Sequence, residues 1–271
     1  MKLLQRVVIA AVILALVAYG TVFVLLVVKQ REMLFVGGRT AEAPTAPFQV
    51  HRIAEHDGTR VTMWQAAARP GAPVIVFFYG NAGTLSDFAD VGAGFHKQGF
   101  SIVLASYRGY DGNTGSPSEA GLMDDARAIL GALPKDHGPV VLWGQSLGSG
   151  VAARMASEGR SDLLILESPY TSIADVAGRR FPIYPIHWLM KDPFDTFSVL
   201  PKIKVPVLIM HGDRDGVVPF DMGETLTHAL GTQATFVRLP GSGHDIDGGL
   251  AFAVAGRWLQ MRRDALHLPP L

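Results

Sequence analysis

The stretch VVLWGQSLGSGVAARMA, residues 140–156, decides how this chain folds. Its apolar run ends at Gly144, Ser146 follows inside a Gly-x-Ser-x-Gly pattern, and an amphipathic helical pattern begins directly afterwards. An almost continuous apolar run is typical of a strand that is buried on both faces of a parallel sheet. Two interpretations of the turn remain: an ordinary strand-to-helix turn of small residues, or a turn that presents Ser146 as a nucleophile.

Short apolar runs alternate with helical patterns along most of the chain. A predicted hairpin of residues 48–54 and 60–66 comes first, and helical patterns such as Ser118–Leu133 and Phe220–Leu230 separate the later runs. This alternation predicts an α/β fold with a mostly parallel central sheet and helices on both faces. The six runs after the hairpin are Val74–Phe78, Ile102–Ala105, Val140–Trp143, Leu163–Leu166, Val207–Met210 and Thr235–Leu239.

Polar residues follow several of these predicted strands, at the edge where ligands bind in α/β sheets. Ser146 follows the third run, Asp213 and Asp215 follow the fifth, and His244 follows the sixth. A serine hydroxyl needs a base within hydrogen-bond reach, and that base needs a carboxylate to orient it. We predict Ser146 as nucleophile, His244 as base and Asp215 as the orienting acid. Asp213 is the alternative acid, but it lies less deep in the loop and suits a role in stabilising the turn.

Two backbone N–H groups are candidates for an oxyanion hole. Leu147 follows Ser146 at the predicted start of a helix, where N–H groups lack partners within the helix. Asn81 lies in YGNAGT, residues 79–84, directly after the first run. We expect these two N–H groups to bind the developing oxyanion, although Gly-Asn-Ala-Gly also suits a simple strand-ending turn.

The acidic residues around His244 raise a metal site as an alternative. His244 with Asp213, Asp215, Asp245 and Asp247 offers enough oxygen and nitrogen donors, but their spacing matches no helical or finger-like ligand pattern. We therefore expect no metal and no cofactor.

The composition excludes several classes of function. The chain of 271 residues has a formal net charge of zero, and its basic residues do not cluster, so nucleic acid is not an expected partner. It contains no cysteine, which excludes disulfides, thiolate zinc sites and a cysteine nucleophile. Its length and its 48% of hydrophobic residues suit one sizeable domain with a short appendage.

The N-terminal region has the pattern of a membrane anchor. Val7–Val28 carries no charge and spans roughly 33 Å as a helix, enough for a hydrocarbon core of about 30 Å. A cleavable signal peptide is the alternative, but the apolar run continues well past Gly20. We expect a single-pass protein of the bacterial inner membrane with its domain outside the cytoplasm. Basic residues flank both ends of the span, so the positive-inside rule does not decide this orientation.

The chain divides into three predicted regions. Residues 1–32 form the anchor, residues 33–47 a Pro-rich linker, and residues 48–271 the α/β domain. Within the domain, residues 178–202 lie between the fourth and fifth runs and are rich in aromatic residues and proline. This segment is expected either to form a lid-like flap over a pocket or to pack plainly over the edge of the sheet.

Several motifs occur together across residues 48–265. They are FFYGNAG, SYRGYDGNTGSPSEAGLMDDA, LWGQSLGSG, ESPYTS, DPFDT with IKVPVLIMHGDRDGVVP, and GSGHD. In this combination the chain resembles the α/β-hydrolase superfamily, and more narrowly its membrane-anchored α/β-hydrolase-domain proteins, which are relatives of the serine-aminopeptidase-like hydrolases. The resemblance implies Ser146, Asp215 and His244 as the catalytic triad, with oxyanion donors at Asn81 and Leu147.

The chain departs from the pattern of this family at two positions. Tyr79 stands where relatives usually carry histidine before the glycine, and Asp111 follows the usual aromatic-glycine pattern. Neither position belongs to the implied triad.

Together these observations predict a membrane-anchored serine hydrolase of the carboxylesterase, lipase or thioesterase type. It would cleave an ester, thioester or amide bond through an acyl-enzyme, and a small acyl or lipid-like substrate is favoured, with an acylated protein as a further candidate. Two alternatives remain: an aminopeptidase-like amide hydrolase, and a non-catalytic binding or scaffold protein on the same fold. Haloalkane-type chemistry is excluded because it needs a carboxylate in place of Ser146.

Overall fold

Eight strands form one sheet at the centre of the molecule. The computed structural model describes residues 2–37, 40, 42–264 and 266, so the predicted anchor, linker and domain each extend slightly outside the described residues. The strands are β1 (Gln49–Ala54), β2 (Arg60–Ala66), β3 (Val74–Phe78), β4 (Ser101–Ala105), β5 (Val140–Gln145), β6 (Leu163–Glu167), β7 (Val207–Gly212) and β8 (Ala234–Leu239).

The sheet is parallel except at one edge. Its strand order is β1-β2-β4-β3-β5-β6-β7-β8. The β1–β2 and β2–β4 pairs are antiparallel, and all other neighbours run parallel. Every side chain of β3 and β6 is buried, and because successive side chains point to opposite faces, both faces of the sheet are covered. The predicted α/β architecture is confirmed.

Strands in the parallel part continue beyond their apolar runs. β5 extends through Gln145 and β7 through Gly212, because Gln145 pairs with Glu167 and Gly212 with Leu239 in neighbouring strands. Backbone pairing needs no apolar side chain, so an apolar run marks the buried part of a strand and not its end. The extension brings these strand ends to the edge of the sheet where Ser146 lies.

Helices connect the strands and pack on the sheet. Helix 119–131 begins one residue later than predicted, because the Ser118 hydroxyl accepts a hydrogen bond from Gly121 N at 3.1 Å and so acts as its N-cap. The helices are α1 (Lys2–Val28), α2 (Gln30–Leu34), α3 (Ala89–Lys97), α4 (Glu119–Gly131), α5 (Leu147–Ser157), α6 (Ile173–Arg180), α7 (Ile186–Leu189), α8 (Phe220–Leu230) and α9 (Gly248–Gln260), with 3-10 turns at Leu85–Phe88, Phe197–Lys202 and Gly231–Gln233.

Gly148 lets α5 pack directly on the neighbouring strand. A Cβ atom at this position would overlap the carbonyl oxygen of Phe78. We expect Gly148→Ala to lower the free energy of unfolding by about 3 kcal/mol, because two rigid backbone segments would have to separate. Thermal unfolding of the purified protein measures this change. Gly131→Ala is the matched control, since no atom of the described residues lies within 4 Å of its added Cβ, and the stability of this variant should be unchanged or slightly higher. Equal stability of the two variants would contradict this account of the packing.

Helix α1 is long and apolar enough to cross a membrane. Its most apolar window has a mean hydropathy of 2.8 and is not buried within the molecule. A helix that is apolar on all sides and exposed on most of its surface is typical of a single-pass anchor.

The chain after α1 packs on the domain before it reaches the sheet. Phe35 is buried, and its ring lies 6.2 Å from that of Phe194. The Arg31 guanidinium pairs with the buried Asp192 carboxylate, with Nε 2.6 Å from Oδ2. Arg31 of the predicted anchor and Phe35 of the predicted linker 33–47 therefore both contact the domain.

Candidate active site

The turn at Ser146 holds a strained backbone conformation. Ser146 has φ 48° and ψ −119°, a combination that side-chain-bearing residues rarely adopt. Its N–H donates to the carbonyl of Glu167 at 2.9 Å, and α5 begins at the next residue. The neighbouring strand and helix thus fix the turn, and the strain lifts the Ser146 side chain above the carboxyl edge of the sheet.

Three residues predicted from separate loops meet at this turn. His244 Nε2 lies 2.8 Å from Ser146 Oγ, and His244 Nδ1 lies 2.8 Å from Asp215 Oδ2. An ionised carboxylate only accepts hydrogen bonds, so Nδ1 carries the proton and Nε2 presents a lone pair to the serine hydroxyl. This tautomer is the one that can remove the hydroxyl proton from Ser146.

Asp215 is held in the ionised form that this arrangement requires. Burial alone would raise the pKa of Asp215, but hydrogen bonds from His211, His244 and Val217 outweigh burial and hold that pKa well below its usual range. Its Oδ1 atom accepts the N–H groups of Val217 and Val218, both at 2.8 Å. The carboxylate is therefore fixed in both position and charge.

His211 is a second histidine against the same carboxylate. Its buried ring places Nε2 3.2 Å from Asp215 Oδ2 and 3.1 Å from the carbonyl oxygen of Val218. Both partners are acceptors, so Nε2 carries the proton and His211 donates. His211 directly follows the fifth apolar run, and nothing in that run indicates that its partner is Asp215.

Asp213 lies apart from this group. Its Oδ2 atom accepts from Arg238 Nη2 at 2.8 Å, and its Oδ1 atom accepts from Gly241 N at 2.7 Å. The hydrogen bonds from Arg238 lower the pKa of Asp213. Asp213 thus ties the loop after β7 to the loop after β8. Among the described residues, no group of three or more histidines and carboxylates is arranged to hold a metal ion.

The two predicted oxyanion donors flank Ser146. Leu147 is the first residue of α5, so its N–H has no acceptor within the helix. The loop that carries Asn81 approaches closely from β3, because a Cβ atom at Gly80 would lie 3.3 Å from Ser146 Cβ. Asn81 is held at both ends: its Nδ2 donates to Leu34 O at 3.0 Å, and its carbonyl accepts from Tyr110 Oη at 3.1 Å.

The two departures from the family pattern contact each other. Tyr79 Oη donates to Asp111 Oδ2 at 2.7 Å, and the Ser106 hydroxyl lies 2.8 Å from Tyr79 Oη. Burial, together with the charge of Asp111, raises the pKa of Tyr79 well above its usual value, so the phenol stays protonated and donates. The tyrosine that replaces the usual histidine therefore has its own acceptor, the carboxylate of Asp111.

Comparisons with known proteins agree with this fold. A family model described as the alpha/beta hydrolase fold matches residues 73–175. The alpha/beta hydrolase domain-containing protein WAV2 of Arabidopsis thaliana is 30% identical over 81% of this chain and 82% of its own length. The chain belongs to the α/β-hydrolase family. The resemblance inferred from its motifs is confirmed.

Other relatives of this α/β hydrolase include a lipase and an esterase. Lysophosphatidylserine lipase ABHD12 of Gallus gallus is 34% identical over 60% of this chain, which covers 49% of the lipase. An uncharacterized protein of Mycobacterium tuberculosis is 31% identical over 91% of this chain and 92% of its own. The solved structure of the Pyrococcus furiosus esterase Pf2001 superposes with a TM-score of 0.67 at 15% identity, covering 83% of this chain and 98% of the esterase. The superposition on the esterase shows that the two chains share a fold.

Ser146 lies between two cavities of opposite character in this hydrolase. The first has a volume of about 210 Å³ and the second about 390 Å³. Apolar side chains dominate the first, among them Leu26, Met33, Leu34, Val176, Phe181 and Leu189. Polar and acidic side chains are prominent in the second, among them Asp87, Gln145, Glu167 and Asp245. A substrate bond held at Ser146 therefore has an apolar side and a polar side.

Glu167 is the buried carboxyl group of the polar cavity. Burial raises the pKa of Glu167 to about 6, although hydrogen bonds from Trp143 and Gln145 oppose the rise. Trp143 Nε1 donates to Oε2 at 2.9 Å and Gln145 Nε2 to Oε1 at 3.1 Å. Glu167 directly follows the fourth apolar run and begins the motif ESPYTS. That position predicts its place at the edge of the sheet, but not its hydrogen bonds to Trp143 and Gln145.

The apolar cavity is lined both by residues of the predicted flap and by N-terminal residues that the sequence did not assign to the site. Leu26, Met33 and Leu34 belong to the N-terminal helices, outside the predicted domain. Phe181 and Leu189 belong to the predicted flap, residues 178–202. The only available signal was the apolar character of Met33, Leu34 and Phe35 at the start of an otherwise small and polar linker.

Proposed function

We propose that this chain is a serine hydrolase that cleaves an acyl bond, favouring esters of lipid-like acyl groups over thioesters and amides. One observation carries the proposal: Ser146 Oγ lies 2.8 Å from His244 Nε2, and His244 Nδ1 lies 2.8 Å from the buried Asp215 carboxylate. A nucleophile, a base and an orienting acid in hydrogen-bond contact are what acyl transfer through a serine requires.

The reaction follows from these contacts in two halves. His244 removes the Ser146 proton as Oγ attacks the carbonyl carbon, and the N–H groups of Leu147 and Asn81 bind the oxygen that becomes negative. His244 then gives that proton to the leaving group as its bond to the carbonyl carbon breaks. Water, deprotonated by His244, attacks the acyl-enzyme and releases the acid with Ser146 restored.

The two cavities orient the substrate. The acyl chain fits the apolar cavity that Phe181 and Leu189 help to form, and the leaving group fits the polar cavity on the other side of Ser146. The lysophosphatidylserine lipases among the relatives support a lipid-like acyl ester over a peptide amide. The polar cavity could also accept the protein part of an acylated protein as the leaving group.

The regions around the domain have proposed roles in this function. Residues 7–28 of α1 anchor the protein in a membrane as a single span, and the domain after them lies outside the cytoplasm of a bacterial cell. Residues 178–202 serve as a lid, a role supported by the side chains of Phe181, Leu189 and Met190 in the apolar cavity.

Labelling with a fluorophosphonate probe tests the proposal. The wild-type protein is expected to form a covalent adduct, and Ser146→Ala is expected to form none, because the probe reacts only with an activated serine. Ser149→Ala is the matched control, since Ser149 is buried in α5 next to the site and its hydroxyl has no hydrogen-bond partner among the described residues. An unlabelled wild type, or labelling that survives Ser146→Ala, would favour the non-catalytic binding protein.

A further inference from the structure

We infer that the N-terminal membrane helix is itself part of the substrate site and forms one wall of the acyl-binding cavity. The inference rests on the proposed function and adds to it the source of the substrate. An acyl ester dissolved in the lipid bilayer would reach Ser146 along the anchor and would not have to cross the aqueous phase.

The end of α1 and the short helix α2 contribute directly to the cavity. Leu26 of α1 and Met33 and Leu34 of α2 line it together with Ser146. Residues of α6 and α7, such as Val176 and Leu189, line the same cavity. Without the N-terminal helices, the space above Ser146 would be open on one side.

Polar contacts lock α2 to the lid. Gln30 Nε2 donates to Leu189 O at 3.2 Å, and Gln30 Oε1 accepts from Lys191 N at 2.7 Å. Arg31 pairs with Asp192, whose side chain is only 4% exposed. These hydrogen bonds to a buried carboxylate and to backbone groups hold α2 in one position and orientation against residues 189–192.

The lid also lies against the membrane helix itself. The rings of Tyr19 and Tyr184 are stacked 4.7 Å apart, and Tyr19 Oη donates to Ile183 O at 3.3 Å. Tyr19 precedes the end of α1 at Val28 by roughly 13 Å along the helix axis. If α1 spans a bilayer, this part of the lid therefore lies at the depth of the lipid headgroups or below.

The exposed residues of the lid fit that position. Trp188 is 92% exposed and Ile183 is 69% exposed. Tryptophan is enriched where membranes meet water, because its ring is apolar and its N–H is polar. An apolar cavity walled by the anchor, beneath a lid with exposed apolar residues, matches one occupant: the acyl chain of an ester held in the membrane.

The same N-terminal segment supports the proposed oxyanion loop. The carbonyl of Leu34 accepts the Asn81 side-chain amide at 3.0 Å. Removing α1 and α2 would therefore disturb catalysis as well as acyl binding. A substitution at Leu26 separates the two effects, because Leu26 lies on α1 and leaves the bond between Leu34 and Asn81 in place.

Chain-length selectivity of Leu26 variants tests the inference. The assay uses the full-length protein in phosphatidylcholine vesicles. Leu26→Trp is expected to lower kcat/KM for nitrophenyl dodecanoate by about tenfold, because the larger side chain displaces about two methylene groups of the acyl chain from the cavity. The kcat/KM for nitrophenyl acetate should change by less than about twofold, because acetate does not fill the cavity. Leu25→Trp is the matched control: Leu25 is the exposed neighbour on the same helix and does not line the cavity.

Leu26→Ala supplies a second measurement with the opposite sign. It enlarges the cavity and should shift the preferred acyl chain to longer esters, so the inference does not depend on one bulky substitution. Equal effects of Leu26→Trp and Leu25→Trp on the dodecanoate, or equal losses on both esters, would overturn it. Failure of the wild-type protein to hydrolyse even the acetate would instead overturn the proposed function.

Discussion

Replacing His244 by alanine is expected to lower kcat for an ester substrate by about 10⁴- to 10⁶-fold. His244 Nε2 lies 2.8 Å from Ser146 Oγ, and removing the imidazole removes the base of the proposed triad. Binding should be nearly unchanged, because the cavities and the oxyanion N–H groups remain. Steady-state hydrolysis of a nitrophenyl ester measures the loss, and the unfolding temperature should stay within about 2 °C of wild type.

Two further variants test whether the loss of turnover in His244→Ala is specific to the triad. His228→Ala removes an exposed histidine on α8 and should leave turnover unchanged. The double variant of Ser146→Ala with His244→Ala should be no slower than either single variant, because the two residues act as one unit. Near-normal turnover of His244→Ala, or additive losses in the double variant, would show that another group is the base.

The sequence predicted the fold and the candidate triad because each rests on a local pattern. A buried parallel strand must be apolar along its length, and the residues just after it must lie at one edge of the sheet. Ser146, Asp215 and His244 could therefore be placed together, although they come from loops far apart in the chain. The sequence favoured Asp215 over Asp213 because Asp215 lies deeper in its loop. In the structure the Asp215 carboxylate contacts His244, and the Asp213 carboxylate pairs with Arg238.

Contacts between side chains from distant parts of the chain could not be predicted from the sequence. Tyr79 and Asp111 each stood out as a departure from the family, but nothing in either segment shows that the phenol donates to the carboxylate. Arg31 lies in the predicted anchor and Asp192 in the predicted flap, and their pairing holds the N-terminal helices against the wall of a cavity. Such pairs produce no repeating pattern in the sequence, so they are recognised only in the folded structure.

Asp215→Asn is expected to lower kcat by about 10⁴-fold, while Asp213→Asn should change it by less than about threefold. Asp215 accepts hydrogen bonds on both oxygens, from His244 and His211 on Oδ2 and from Val217 and Val218 on Oδ1. An asparagine must turn its NH₂ group towards one of these pairs of donors. Turned towards His244, it forces the proton onto Nε2, which then cannot accept the Ser146 proton.

The pH dependence of stability provides an independent readout for the same pair of variants. The hydrogen bonds to Asp215 lower its pKa in the folded state below the ordinary value of about 3.9 for aspartate. Asp215 therefore contributes stability that is present above about pH 4 and is lost as the pH falls through the lower folded-state pKa. Asp215→Asn should remove this loss, so that its unfolding temperature falls less steeply than that of wild type in acid.

Comparison of the two variants decides which aspartate orients His244. Asp213 accepts from Arg238 and Gly241, so an asparagine there can keep an acceptor for one of them, and the triad is untouched. A larger loss of kcat in Asp213→Asn than in Asp215→Asn would mean that Asp213, and not Asp215, orients His244. The expected order of the two losses follows from the contacts of one oxygen atom: Asp215 Oδ2 touches both histidines, and Asp213 touches neither.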